Sequence, residues 1–147
     1  MALQRHTYTM SNLPEIPSPL ILFDGECILC NRTVRMLLKY DTSGILYFTP
    51  NSSATALRVF EQFGIETDEI RSIFFFDGKR LFKESDAVIE IIKRLPRPFA
   101  WLSVTALIPR IFRDWSYRVV ARTRYRIFGK TTNCSLLGEN ERGRVIL

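Results

Sequence analysis

The sequence predicts an α/β protein: a central mixed sheet whose elements run β-α-β-α-β-β-α, with a helical extension at the C-terminal end. Three observations predict it. Apolar runs of strand length fall at residues 20–23, 45–48 and 72–76. Segments with apolar residues at helical spacing alternate with them. Beyond Pro96-Arg97-Pro98 come two helical patterns, reaching residue 128. At 147 residues the chain is expected to form one domain with a substantial core.

Residues 1–18 carry a single early Arg5 and no apolar stretch ahead of a small-residue cleavage site, so they read as a flexible leader and not as a secretory signal. The domain then spans 19–147, its helical extension starting near 97. Leu20-Ile21-Leu22-Phe23 is the first strand, and it runs into Asp24-Gly25-Glu26-Cys27-Ile28-Leu29-Cys30. Val34, Leu37 and Leu38 follow Cys30 at spacings of four, seven and eight, one face of a helix; Arg32, Arg35 and Lys39 lie opposite. Ile45-Leu46-Tyr47-Phe48 is a second strand, ended by Thr49-Pro50. Ser52 or Ser53 caps a helix reaching residue 63, with Ala56, Leu57, Phe60 and Phe63 on its buried face and Gly64 closing it. The run 72–76, apolar on both sides, reads as a central strand. Asp77-Gly78 is a two-residue hairpin turn that returns 79–83 as an antiparallel strand. Ser85 caps a third helix, 86–95, which buries Val88, Ile89, Ile91 and Ile92. The extension holds two helical patterns, 99–107 and 109–128, with Pro109 in the first turn of the second. There Phe112, Trp115, Val119, Thr123 and Ile127 form an apolar stripe expected to pack on the sheet or beside the first helix. Arg118, Arg122 and Arg126 line an adjacent stripe. A β-α-β-α-β-β-α order with Cys-x-x-Cys after the first strand is the minimal thioredoxin arrangement.

The two cysteines carry the chemistry. Cys27 falls near a helix N-terminus, where free N–H groups and the helix dipole favour a thiolate. Cys30 points along the apolar face and is expected to be the less exposed. That asymmetry suits a dithiol in which one cysteine attacks and the other resolves the mixed disulfide. Glu26 and Asp24 raise a thiol pKa while Arg32 and the basic C-terminal helix lower it, so a moderately activated thiol is expected. Asp24 either takes the proton from Cys30 as a general base or accepts backbone hydrogen bonds in the turn. Gly25 is expected to supply a backbone angle that other residues resist.

The D-G-x-C-x-x-C stretch resembles the DCC family of thiol-disulfide oxidoreductases, which are thioredoxin-like. A second block, Ala121-Arg122-Thr123-Arg124-Tyr125-Arg126-Ile127-Phe128-Gly129-Lys130 followed by Cys134, resembles that family's C-terminal motif and its trailing cysteine. The resemblance runs from about residue 20 to 147. It implies a thiol-disulfide oxidoreductase of the protein-disulfide reductase type, with Cys27 as nucleophile and Cys30 as resolving thiol. Such an enzyme uses no cofactor beyond its dithiol and takes a protein or small-molecule disulfide as substrate. Thioredoxin-type folds usually place a cis-proline before the strand facing the pair; the matching position, near Arg71-Ser72, has none.

Other readings stay open. Cys134 is either a third redox thiol or an ordinary half-buried cysteine. Cys27, Cys30, Cys134 and His6 would complete a Cys₃His zinc set, giving a zinc-stapled binding module. Its second half, however, is one cysteine and one histidine at opposite ends of the chain, so no metal is expected. An iron–sulfur cluster would want four cysteines, and the chain has three. Residues 1–95 hold 11 Lys+Arg against 12 Asp+Glu, whereas residues 96–147 hold 10 against 3. The arginine stripe of that basic third is a solvated face, a steering surface for an anionic substrate, or a contact with an anionic membrane surface. No nucleic-acid reading motif is present. Three cysteines are too few and too uneven for a secreted disulfide framework, which argues for a reducing, cytoplasmic compartment. The longest apolar segment, 99–109, is interrupted and too short to span a membrane.

Overall fold

The computed structural model describes residues 15–97, 99–131 and 143–146. Strands β1 (Leu20–Phe23), β2 (Tyr47–Pro50), β3 (Phe74–Phe76) and β4 (Leu81–Lys83) form one sheet in the order β2-β1-β3-β4. β1 pairs parallel with β2 and antiparallel with β3, and β3 pairs antiparallel with β4. Helices α1 (Ile28–Tyr40), α2 (Ala54–Phe63) and α3 (Glu84–Lys93) complete a thioredoxin-like core. A 3₁₀ helix, Phe99–Leu107, and the long α4 (Arg110–Phe128) follow.

The period-two alternation of β1 splits the core into two layers. Ile21 and Phe23 face Val34, Leu37 and Leu38 of α1 and Ala87 and Ile91 of α3. Leu20 and Leu22 face Ala56, Val59 and Phe60 of α2 on the other side. β1 and β3 are interior strands with both faces covered, which is why their sequences are apolar without a break. The outer edge of β2 is covered by the chain's own C-terminal residues. Phe48 N–H donates to the Arg144 carbonyl at 2.8 Å, and Ile146 N–H donates to the Phe48 carbonyl at 2.8 Å. A free strand edge is thereby paired.

Local chemistry sets most boundaries. The Ser53 hydroxyl accepts from Ala56 N–H at 3.0 Å, and Gly64 ends α2 in the left-handed conformation, φ 66°. Leu57, expected on the buried face of α2, is half exposed; Val59 takes the inward position instead. The hairpin turns one residue later than expected. Asp77 N–H pairs with the Arg80 carbonyl, which leaves Gly78 and Lys79 at the corner, with Gly78 at φ 101°. Ser85 does not cap α3, whose N-cap is Lys83 with no side-chain bond. Its hydroxyl is buried and donates to Asp114 of α4. Val88 and Ile92 are only half buried.

The largest departure is the orientation of α4. Phe112, Trp115, Val119 and Ile127, expected to pack inward, are exposed. The inward side is instead polar, and it is held by bonds that only polar groups make. Arg113 donates to Asp86, Asp114 accepts from Ser85, Tyr117 accepts from Ile73 N–H at 3.0 Å, and Arg124 pairs with Asp24. Helical periodicity locates a stripe but not the direction it faces. Here specific hydrogen bonding to α3 and to the sheet outcompetes burial of the apolar stripe.

Candidate active site

Cys27 closes the turn after β1 and is the N-cap of α1, with φ −87° and ψ 117°. Its Sγ accepts from Cys30 N–H at 3.3 Å, as a capping side chain does. The turn is tied by Glu26 N–H donating to Asp24 Oδ1 at 3.0 Å and by the Asn31 side chain donating to the Gly25 carbonyl at 3.0 Å. Gly25 is not among the residues with positive φ, so the backbone role expected of it is not a left-handed angle.

Both thiols are free. The Cys27 pKa falls from 9.0 to about 6. The largest cause is a hydrogen bond from the Cys30 side chain; burial opposes it, and the Cys30 N–H and the Arg124 charge assist. Cys30 moves strongly upward, because its proton is held against Cys27, because it is buried, and because a neighbouring thiolate disfavours a second negative charge.

Exposure runs opposite to expectation. Cys27 is fully buried, while Cys30 is half buried against the α1–α3 layer. The segment leaving α4 pairs with the backbone of the turn that carries Cys27. Gly129, at φ 83°, turns the chain back across the dithiol. Lys130 then bridges to Cys27, and Thr131 N–H donates to the Glu26 carbonyl at 2.8 Å.

Asp24 has a partner that its neighbours in sequence do not reveal. Arg124, one hundred residues on, places Nη2 3.0 Å from Asp24 Oδ2 and Nη1 3.7 Å from Cys30 Sγ. Both side chains of the pair are nearly buried, at 6% and 11% exposure. The Tyr125 hydroxyl donates to the same Asp24 oxygen. Arg124 also donates to the Arg71 carbonyl, in a loop that Asn51 holds by donating to the Ile70 and Ser72 carbonyls. This is the loop where a proline was expected from the fold and is absent. An open cleft of about 610 Å³, lined by Asp24, Glu26, Asn51, Arg71 and Thr131 among others, lies in front of the turn.

The structure thus brings Cys27, Cys30 and Asp24 together. Arg118, Arg122 and Arg126 are exposed and lie well round the helix from Arg124, facing away from the dithiol. Cys134 and His6 lie outside the described residues, so the proposed zinc set has only Cys27 and Cys30 within them. Sequence reading placed Arg124, Tyr125 and Lys130 in the second motif block but gave them no part in the site, and it did not single out Thr131. A signal did exist: Arg124 is out of phase with the arginines spaced four apart, and it shares a helix face with Tyr117 and Ala121.

A family model described as DCC1-like thiol-disulfide oxidoreductase matches residues 21–130, a stretch that runs from the first strand to the segment leaving α4. The chain belongs to this family. It is similar to the uncharacterized protein YuxK of Bacillus subtilis, 33% identical over 122 residues, covering 83% of this chain and 89% of that protein. It is also similar to a DCC family protein of Arabidopsis thaliana described as chloroplastic, 32% identical over 129 residues, covering 87% of this chain and 75% of that one. No solved structure matches. Among the described residues no helix of this DCC protein is long and apolar enough to cross a membrane.

Proposed function

We propose that this DCC protein is a dithiol protein-disulfide reductase in which Cys27 attacks and Cys30 resolves. The carrying observation is the opposite displacement of the two thiols: Cys27 at a helix N-cap is pushed down to about 6, while Cys30 keeps its proton. The Cys27 thiolate attacks a substrate disulfide, forming a mixed disulfide and releasing one substrate thiolate. Cys30 then loses its proton, and its thiolate attacks the Cys27 sulfur. That closes the Cys27–Cys30 disulfide and releases the second substrate thiolate. An external thiol returns the pair to the reduced state. The cleft lined by Glu26, Arg71 and Thr131, next to Cys27 along the chain, is the side from which a substrate would approach, and Cys27 must become uncovered for attack.

Arg124 is placed to stabilise negative charge on Cys30 as it forms, and Asp24 fixes the guanidinium for that task. Direct proton transfer from Cys30 to Asp24 is the competing role for the carboxylate. Asp24→Asn separates them: anchoring predicts slower resolution at every pH, whereas proton transfer predicts a loss that grows as pH falls.

The pH dependence tests the assignment of the nucleophile. Below its pKa Cys27 is a protonated, unreactive thiol; above it the thiolate fraction is complete. Single-turnover reaction of the reduced protein with a small aromatic disulfide should therefore rise through a midpoint near pH 6 and level off above it. A midpoint near 9.0, the ordinary cysteine value, would show an unactivated thiol and overturn the reading.

A further inference from the structure

The 3₁₀ helix and α4 each expose large apolar side chains, and on α4 these are edged with cations. Trp101, Val104 and Leu107 recur every third residue, one face of a 3₁₀ helix, and all three are more than half exposed. On α4 the stripe is Phe112, Trp115 and Val119, with Ile111 beside them 81% exposed. Both tryptophans of the chain, one on each helix, are 66% exposed. A soluble domain rarely leaves so large an apolar area open without a partner for it.

We propose that this face docks on the surface of an anionic phospholipid bilayer. The chemistry of the patch selects that occupant. Tryptophan concentrates at the headgroup level of bilayers, where its apolar ring and N–H are both accommodated. Beside the apolar stripe run Arg118, Arg122 and Arg126, all exposed. Among the described residues Arg122 and Arg126 have no ion-pair partner, and Arg118 reaches Glu84 only at 3.9 Å. Residues 97–131 contain eight Lys and Arg and one acid, Asp114. That acid is turned inward to Ser85 and Arg110. A second copy docking through the same stripe would bring two arginine ridges together with only Glu84, 3.9 Å from Arg118, as a nearby carboxylate. An anionic lipid surface answers both the apolar and the cationic half. The helices lie in the interface plane, since neither can span it.

The test uses the full chain with vesicles of phosphatidylcholine alone and of phosphatidylcholine with phosphatidylglycerol, read by co-sedimentation and tryptophan emission. Binding with a blue shift is expected on the anionic vesicles, at least tenfold weaker on the neutral ones, and reduced by added salt. The Arg118→Gln/Arg122→Gln/Arg126→Gln variant should bind about a hundredfold more weakly, because each basic residue near such a surface contributes roughly a factor of five. Phe112→Ser/Trp115→Ser should lose binding altogether, with the remaining Trp101 emission unshifted. All five positions are exposed, so both variants keep the fold, as far-ultraviolet circular dichroism will show. Equal affinity for neutral and anionic vesicles, or no binding, would overturn the proposal. So would emission already blue-shifted without vesicles, or a stable dimer with shielded tryptophans, either of which would mean that the chain or a second copy covers the face.

Discussion

Cys27→Ser is expected to drop disulfide reduction to the background rate, because a serine hydroxyl does not attack sulfur at neutral pH. Cys30→Ser should still attack, but it cannot resolve, so it should accumulate a mixed disulfide visible as a covalent adduct by mass spectrometry. The structure adds a finer expectation. The largest cause holding the Cys27 pKa down is the hydrogen bond from the Cys30 side chain, and a serine hydroxyl at that position can still donate. Alanine cannot. Cys30→Ala should therefore trap adducts more slowly than Cys30→Ser near pH 6, and the two should converge as pH rises past the ordinary thiol value of 9.0. Full activity in Cys27→Ser, or adducts forming on Cys30 in preference to Cys27, would reverse the roles of the two thiols.

The second large effect is expected at Arg124. Arg124→Met removes one partner of a nearly buried ion pair and leaves the Asp24 carboxylate facing Tyr125 and the Glu26 N–H alone. Breaking such a pair typically costs about 3–5 kcal/mol, which in a chain of this size lowers Tm by roughly 10–15 °C. The cost is in the stranded charge, so Asp24→Asn/Arg124→Met should be less destabilised than the sum of its single changes. The catalytic consequence is separable from the loss of stability. Without the guanidinium 3.7 Å from Cys30 Sγ, the resolving thiolate is harder to form. The mixed disulfide should then persist longer even at a temperature where the variant is fully folded. Arg124→Lys, which restores charge without the two-pronged geometry, should recover part of the resolution rate. A variant that melts lower yet resolves at the wild-type rate would confine Arg124 to scaffolding.

The features legible in the sequence are those written by neighbours along the chain. The β1 run, the turn into the dithiol, the Ser53 cap and the Gly64 terminator each depend on residues a few positions apart, and each formed as the local pattern implies. Features set by distant partners were not legible. No pattern near Asp24 points to Arg124, and nothing within α1 shows that Lys130 will pair with the backbone of Cys27. Ser85 shows the same limit in a single residue. Its position suits a helix cap, yet α3 already begins at Glu84, and the Ser85 hydroxyl instead donates to the carboxylate of Asp114, 29 residues later. The stripe on α4 was read correctly as a stripe and assigned the wrong way round, because periodicity carries no information about which side meets the sheet.

With Cys27 fully buried and its backbone bridged to Lys130, exchange at its sulfur would run at the intrinsic rate multiplied by the fraction of molecules in which that sulfur is uncovered. A closed-state population of this kind hides a reactive thiolate from adventitious oxidants while a bulky substrate that binds the uncovered form draws the equilibrium toward itself. The contacts that hold the segment leaving α4 include the Lys130 bridge, the Lys130 ammonium over the Tyr125 ring and the Thr131 N–H to the Glu26 carbonyl. One backbone hydrogen bond contributes about 1 kcal/mol, so its loss would raise a small open fraction by roughly fivefold. Turnover in this protein can thus be tuned several-fold at Gly129, Lys130 and Thr131 without altering either sulfur.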